Sequence, residues 1–440
     1  MRSADPMSIS SGVSMRTLRN SMGFGAARAL VRLVCGFISV KLTAVYLGPS
    51  GMALVAQFNN FLSLCHGVVA SGLETAASRL TSEYAGDRER RIVLLHTLGK
   101  MAFVLGLGTA LIVAVSSPWL AQWLLNDSGY AWVFVLGSLA ILSSIANALL
   151  LAVLSARDDY VRSMTSAILA TILGLIIFAP AAIRWGIVGG LFASSMVYVG
   201  SLVVTLALVH QSSLVSFADF VGRFDRGEAK RVAAFYPMLL VHAALTPLSL
   251  ILVREHVSSV LNLETAGLWQ ACWRLSETYL LIIMSMVSTQ FMVRLGRVVN
   301  HPVQLRHELL RTLGVAVGGT LAIAIVVYIL RQWIVRILFT SAFAPVADLM
   351  PFQLLGDVVK MAGWTMGFAL VATLRSRWYI AIEIIVPLVF VLATRAFGGS
   401  MGVSGVTIAY AISALVQVLM STTALRDILF LGSRSRELEK

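Results

Sequence analysis

Long apolar stretches set the strongest limit on what this chain can fold into. Twelve of them follow one another through the 440 residues, each close to the ~20 residues that an α-helix needs to cross a bilayer. Because every backbone polar group must be paired inside lipid, helices are the expected spanning elements, and the predicted fold is an all-α integral membrane protein. The predicted spans are 20–42, 51–72, 92–115, 131–153, 164–183, 188–209, 233–253, 267–291, 311–330, 349–372, 379–396 and 402–424.

Composition supports this fold class and excludes several functions. Apolar residues make up 58% of the chain and charged residues 12%, against about 25% charged in soluble domains. Cys35, Cys65 and Cys272 form no CxxC motif, so neither disulfides nor a thiolate metal site is predicted. No P-loop, HExxH or GxSxG motif is present, and we expect no cofactor, no bound metal and no ATPase of the P-loop kind.

Basic residues are distributed unevenly between the loops on the two sides of the predicted spans. Of 34 Lys and Arg residues, 23 fall on one side and six, including Arg254, on the other. Cytoplasmic loops carry the excess of Lys and Arg, so both termini are predicted to be cytoplasmic, in agreement with an even number of spans. The same distribution explains the net charge of +13 without a nucleic-acid partner.

The longest central loop divides the predicted spans into six and six. The predicted units are an N-terminal half at 1–215, a cytoplasmic linker at 216–231 and a C-terminal half at 232–440. The two halves show a weak sequence similarity: residues 48–53, which lead into span 2, and residues 264–269, which lead into span 8, have similar patterns of small residues. Duplicated halves are common in transporters, with the binding site between them.

Ionisable residues inside the spans are the first candidates for function, because a charge at the bilayer centre costs ~2.5–3.5 kcal/mol on insertion scales. In span 1, Arg28 and Arg32 share one helix face with Gly36 and Ser39. Either these guanidinium groups reach the membrane surface, as long basic side chains do, or they line a watery cavity. Because most buried charges here are basic, the cavity interpretation predicts an anionic substrate.

Three later spans contain further charges. Arg274 and Glu277 in span 8 are three residues apart and can pair along the helix, and Asp357 and Lys360 in span 10 repeat this spacing. Each pair is either neutralised for insertion, or offers a cation to the substrate beside an acid that titrates. Glu383 in span 11 has no basic neighbour on its own helix, so it finds a partner across helices or is protonated.

Span 2 is rich in polar residues, among them Gln57, Asn59, Asn60, Ser63 and His66. Such residues commonly form hydrogen bonds between membrane helices. They can also line a transport pathway, and the sequence leaves both interpretations open.

The chain resembles the Wzx flippases, most closely the branch that translocates lipid III of enterobacterial common antigen. The motifs that carry the resemblance lie at 31–42, 47–51, 267–270, 352–360 and 377–383. The resemblance implies two six-helix lobes that form a V around a central cavity, as in the multidrug/oligosaccharidyl-lipid/polysaccharide exporter superfamily. It also implies transport of an undecaprenyl-diphosphate-linked oligosaccharide, of O-antigen or enterobacterial common antigen type, across the bacterial inner membrane.

The resemblance and the residue patterns together give the candidate site. The predicted substrate-binding residues are Arg28, Arg32, Lys41, Asn59, Arg274 and Lys360, and the predicted coupling residues are Asp357, Glu277 and Glu383. Glu277 stands where the family pattern has Asp, and Asn59 where some members have a basic residue. Expected partners are the lipid-linked oligosaccharide, membrane lipids, and a polymerase and chain-length regulator of glycan assembly.

Three alternatives to this function stay open at this point. A cation-coupled multidrug antiporter would share the fold but would favour an acidic cavity. A lipid II flippase would also need cationic residues in its cavity for a lipid-linked diphosphate, but it usually has more than twelve spans. A membrane glycosyltransferase or polymerase would need large outer loops, and the predicted outer loops are short.

Overall fold

The computed structural model describes residues 15–157, 159–210 and 217–430, and all regular elements within these ranges are helical. Ten helices in this part of the chain are long and apolar enough to cross a membrane. Both chain ends, whose side the charge distribution predicts, lie outside the described residues. The helices are α1 (Met15–Tyr46), α2 (Gly48–Glu83), α3 (Arg88–Val115), α4 (Ser117–Leu125), α5 (Ala131–Ala156), α6 (Tyr160–His210), α7 (Arg226–Ala233), α8 (Tyr236–Val260), α9 (Leu263–Val298), α10 (Pro302–Leu338), α11 (Val346–Ala372), α12 (Ser376–Met401), α13 (Val403–Ala424) and α14 (Arg426–Leu429).

The all-α prediction is confirmed, and the predicted spans coincide with helices. Spans 5 and 6 both lie in α6, whose two arms meet at Gly186, where φ is 52° and ψ is −127°. The helices run further than predicted. With 36 residues at 1.5 Å per residue, α2 is about 54 Å long, which exceeds the ~30 Å thickness of the hydrocarbon core of a bilayer. The short helix α4 was not predicted; it exposes Trp119 and buries Leu120 and Leu124.

The helices of each half pack mainly on one another. In the first half, α5 contacts α2, α3 and α6, and α1 lies along α6. In the second half, α13 packs against α11 and α12, α10 and α9 pack against α11, and α8 packs against α12. The halves are joined chiefly through α2, which contacts both α8 and α9.

We call the end of the bundle at which α1 begins the near end, and the opposite end the far end. At the near end, the described part of the segment predicted as a linker, 217–231, is packed against the first half through α7. The buried carboxylate of Glu228 accepts hydrogen bonds from the Tyr84 hydroxyl at 3.0 and 3.1 Å and from Arg90 Nε at 3.1 Å. Burial, followed by the contact with Glu228, raises the pKa of Tyr84. The last part of the connection between the halves, α7, is therefore fixed to the end of α2 and to α3.

At the far end, α9 begins directly against the turn between α1 and α2. A Cβ atom placed on Gly267 would lie 1.9 Å from the carbonyl oxygen of Pro49, so only glycine permits this approach. The ammonium group of Lys41 donates to the Ile337 carbonyl at 2.6 Å, at the end of α10. The two motifs noted at 48–53 and 264–269 therefore meet in space.

Arg254 lies behind this contact and corrects an expectation from the sequence, which placed it in an outer loop. The α8 helix continues to Val260, and the Arg254 side chain is buried, with 2% of its surface exposed. It donates to Gln57 Oε1 at 2.7 Å and to Gln270 Oε1, which joins α2, α8 and α9. We call Gln57, Arg254 and Gln270, together with the contact of Gly267 and Pro49, the far-end seal.

One ion pair at the near end gives a testable pH dependence. Arg375 binds Asp427 through Nη1–Oδ1 at 2.8 Å and Nη2–Oδ2 at 2.5 Å, and this guanidinium lowers the pKa of Asp427 below its ordinary value of 3.8. A carboxyl group whose pKa is lower in the folded state stabilises the fold above its unfolded pKa, and this contribution is lost as the pH falls through the folded pKa.

We therefore expect Asp427→Asn to lower the thermal midpoint at neutral pH, by no more than ~2–4 °C because the pair is half-exposed. The difference from the wild-type protein should vanish in acid. Thermal unfolding of the purified protein over a pH series measures this, and a difference that stays constant in acid would contradict it.

Candidate functional site

The centre of the second half contains a buried carboxylate held by two tyrosines. Asp357 in α11 is fully buried. Its Oδ2 accepts a hydrogen bond from the Tyr279 hydroxyl of α9, and its Oδ1 accepts one from the Tyr410 hydroxyl of α13 at 2.8 Å. A buried carboxylate needs such donors because it has left water. Three helices therefore meet at this one side chain.

Lys360, one turn further along α11, is not paired with Asp357 as the spacing predicted. Its ammonium group lies over three aromatic rings, 5.2 Å from the centroids of Trp273 and Trp364 and 5.0 Å from that of Tyr410. Within the described residues it forms no ion pair with any carboxylate. The ion pair that the spacing in span 10 allows is therefore not formed, although the charge of Asp357 acts on Lys360.

The predicted pair of span 8 is confirmed. Arg274 Nη1 lies 3.2 Å from Glu277 Oε2, and both side chains are about half-exposed, at 49% and 40%. The charges of Asp357, Glu277 and Glu383 all act on Lys360. Charged groups from α9, α11 and α12 therefore face a common region.

Glu383 finds its partner across helices, which was one of the two possibilities left open by the sequence. Its Oε2 lies 2.7 Å from His242 Nδ1 in α8, and Glu383 is 16% exposed in its side chain. Pro387 lies four residues on in α12, where its ring removes a backbone donor to the Glu383 carbonyl. His242 was not singled out from the sequence, since nothing in the spacing along α8 connects it with α12.

The first half holds a separate polar cavity that includes Arg28. The cavity has a volume of about 750 Å³ and is lined also by His66, Glu74 and Arg79 and by several hydroxyl groups. His66 Nε2 lies 3.3 Å from Glu74 Oε1, and its Nδ1 lies 3.0 Å from Ser144 Oγ. The structure therefore places Arg28 at a cavity.

The other predicted binding residues lie apart from this cavity. Arg32 is exposed one turn further along α1, close enough for its charge to act on Arg28. Asn59 donates to Ser194 Oγ of α6 at 3.3 Å, a contact between helices of the first half. Lys41 is engaged by backbone carbonyls at the far end, at 2.6 Å from Ile337 O and 3.4 Å from Phe339 O. The roles of these three in substrate binding stay predictions.

Several residues of this region were missed by sequence reasoning. Tyr279, Tyr410 and Trp273 are common types in apolar helices, and only the packing of α9, α11 and α13 brings them to Asp357 and Lys360. For Arg254, a signal was available: the residues that follow it, Glu255 and His256, can belong to a helix that extends past the apolar core.

Residues 42–348 match the sequence pattern of a family described as polysaccharide biosynthesis protein. Proteins of Escherichia coli (strain K12) and Shigella flexneri, each described as a lipid III flippase, are 23% identical over 363 residues, which cover 82% of this chain and 86% of theirs.

Solved structures with similar folds include transporters and a flippase. An inward-facing multidrug resistance MATE family transporter of the MOP superfamily gives a TM-score of 0.78 at 13% identity, covering 92% of this chain and 99% of that one. The outward-facing conformation of such a transporter gives 0.66 at 14% identity, covering 94% and 96%. The lipid II flippase MurJ in an inward closed conformation gives 0.75 at 16% identity, covering 92% and 87%.

The structural likenesses show that this chain has the fold of these transporters and this flippase, and ten of its described helices are long and apolar enough to cross a membrane. The resemblance seen in the sequence is confirmed by the family match, which extends from the end of α1 into α11. The chain belongs to the polysaccharide biosynthesis protein family.

Proposed function

We propose that this protein is a flippase that moves an undecaprenyl-diphosphate-linked oligosaccharide, of O-antigen or enterobacterial common antigen type, from the cytoplasmic to the periplasmic leaflet. The observation that supports it most is Lys360, an intramembrane ammonium group held by aromatic rings with no ion-paired carboxylate among the described residues. Such a group suits a diphosphate, whose negative charges need cationic partners once they leave water. The two lipid III flippase relatives support the same substrate class.

The proposed architecture has twelve crossings. The ten apolar helices become eleven when α6 is divided at Gly186, and α9, with 36 residues, completes twelve. We assign them to two six-helix lobes, 1–215 and 232–440, joined at 216–231 and enclosing a V-shaped cavity. The near end is cytoplasmic in this proposal, as the 23 basic residues on its side favour.

Transport would proceed by alternating access in the inner membrane. The seal at the far end and the higher TM-score with the inward-facing transporter, 0.78 against 0.66, support an inward-open form as the one described. The polyprenyl chain would stay in lipid while the sugars cross a wet cavity. Asp357, Glu277 and Glu383 are the proposed coupling acids, and a polymerase and chain-length regulator would take up the product outside.

The proposal is tested in a strain that lacks this gene and is complemented by variants. Lys360→Met should reach the membrane at the wild-type level, lose surface glycan, and accumulate a lipid-linked intermediate whose sugars mass spectrometry identifies. Lys100→Met is the matched control, because Lys100 is an exposed residue of α3 away from the charged groups of α9, α11 and α12. Normal surface glycan in the Lys360→Met strain would overturn the assignment of this lysine.

A multidrug antiporter is the second candidate, favoured by the fold of the MATE transporters. It would bind cations, for which the free ammonium group of Lys360 is unfavourable. Export of a cationic dye from vesicles containing the purified protein, without movement of a polyprenyl diphosphate, would favour this candidate. The same vesicles distinguish both from a glycosyltransferase, which would change the mass of its lipid substrate.

The orientation has its own test, with single cysteines in a background without the native three. Ser82→Cys and Arg223→Cys, both exposed at the near end, should react only with reagents inside the cell, and Ser128→Cys and Ser259→Cys only from outside. Gly222 is avoided, because a Cβ atom there would lie 2.2 Å from the His96 ring. External labelling at Arg223→Cys would contradict the proposed topology.

A further inference from the structure

The rings around Lys360 are fixed by contacts of their own. Trp273 stacks on Phe390 with centroids 6.0 Å apart and an angle of 13°, and Tyr410 meets Trp273 edge-on at 5.1 Å and 71°. The hydroxyl of Tyr410 is held by Asp357 at 2.8 Å. The position over which the ammonium group lies is therefore built into the packing of α9, α11, α12 and α13.

Tyr410 has two separate functions in this cluster. Its hydroxyl donates to Asp357, while its ring face attracts the Lys360 ammonium group from 5.0 Å. The negative face of an aromatic ring attracts a cation without cancelling its charge, whereas a carboxylate would cancel it. Asp357, one helical turn from Lys360, is the competing partner along α11, and its charge acts on Lys360. Its oxygens accept from the hydroxyls of Tyr279 and Tyr410, and within the described residues it forms no ion pair with Lys360.

We infer that Trp273, Trp364 and Tyr410 form an aromatic cage that sets the anion affinity of Lys360, and that its ligand is the diphosphate group of the lipid carrier. This inference rests on the proposed function and adds its specificity determinants. A phosphate oxygen reaches the ammonium group without first displacing a carboxylate. A cationic compound would have to expel Lys360 from the rings, so the cage selects diphosphates over cations.

The effect of losing a ring follows from this arrangement. Without the Tyr410 ring, Lys360 is free to turn to Asp357 and become neutralised, so affinity for a diphosphate falls. Removal of Asp357 in the same protein should then restore the affinity, because the competing carboxylate is gone. A ring with a purely structural role would give no such rescue.

The test measures binding of farnesyl diphosphate, a soluble polyprenyl diphosphate, to the purified full-length protein by calorimetry. Tyr410→Leu and Trp273→Leu should each weaken binding by about 3- to 30-fold. Lys100→Met, at an exposed residue of α3 away from the cage, should bind as the wild type does. Tyr410→Leu combined with Asp357→Asn should recover most of the lost affinity.

Each outcome decides between the claims. If Lys360→Met loses binding but Tyr410→Leu and Trp273→Leu retain it, the cage is wrong and the proposed function stands. If Tyr410→Leu weakens binding and Asp357→Asn does not restore it, the ring is structural only and the inference is overturned. If the wild-type protein does not bind farnesyl diphosphate, both the cage and the proposed substrate are overturned. Where Tyr410→Leu is unstable by its thermal midpoint, Trp273→Leu with and without Asp357→Asn gives the same comparison.

Discussion

Replacing Arg254 alone, and replacing it together with its two glutamine partners, should shift the far-end seal in opposite directions. In Arg254→Ala, the buried oxygens of Gln57 and Gln270 lose their donor, and a buried acceptor without a partner costs ~1–3 kcal/mol. The seal is then weakened. In the triple variant with Gln57→Leu, Arg254→Met and Gln270→Leu, apolar side chains fill the same space, and such exchanges of buried charges are commonly neutral or stabilising by ~1–4 kcal/mol. The seal is then as strong as before or stronger.

The measurement is the reactivity of a cysteine at Ala53, a fully buried residue beside the seal, toward a membrane-impermeant maleimide added outside. Labelling should rise about tenfold in Arg254→Ala and fall in the triple variant, since ~1.4 kcal/mol corresponds to a factor of ten. Both variants should lose glycan export, one because the far end no longer closes and the other because it no longer opens. Arg336→Met, at an exposed arginine of α10, is the control. Labelling that moves in the same direction in both variants would contradict the expectation.

Gly267→Leu should abolish transport by forcing the far end apart. The new side chain would begin 1.9 Å from the Pro49 carbonyl oxygen, and the surrounding atoms are backbone, which cannot turn aside as a side chain can. Overpacking of this kind typically costs ~1–3 kcal/mol, and here the cost falls only on the sealed form. The population should therefore shift toward the form that is open outside.

External labelling at Ala53→Cys reports this shift as an increase, with the protein still present in the membrane. The matched control is Gly314→Leu, because a Cβ atom at Gly314 meets nothing within 4 Å. That variant should label and transport as the wild type does. Unchanged labelling in Gly267→Leu, with normal export, would show that the contact of α9 with the α1–α2 turn is not part of the closed form.

The sequence predicted the elements of this fold well, because a membrane helix records its length directly in apolar residues. It predicted the pairing of Arg274 with Glu277 for a related reason, since both lie on one helix three residues apart. The partners of Glu383 and Lys360 belong to other helices, and no spacing along α11 or α12 encodes them. Asp357 and Lys360 show the limit most clearly: local spacing allows an ion pair, whereas in the structure the carboxylate accepts from Tyr410 and the ammonium group lies over aromatic rings.

The motifs at 48–53 and 264–269 show the opposite case. In the sequence they are a weak echo between two halves, and small residues at loop ends recur by chance. In the structure they touch, and the absence of a side chain at Gly267 is what permits the contact. The small residues of the two motifs say little about either helix alone, and the contact between the α1–α2 turn and the start of α9 explains them.

The docking of α7 limits how the two halves can separate. Its Glu228 is anchored to Tyr84 and Arg90, and only Ala234 and Phe235 lie between the end of α7 and the start of α8. Three backbone steps reach roughly 10 Å when fully extended. Along this edge, the start of α8 therefore stays within that distance of α7 and the first half, so this edge is a fixed point for any movement between the halves. In the proposed transport cycle, the halves would rotate about an axis beside α2 and α8. The near end would then open widest on the side of the bundle opposite to that axis.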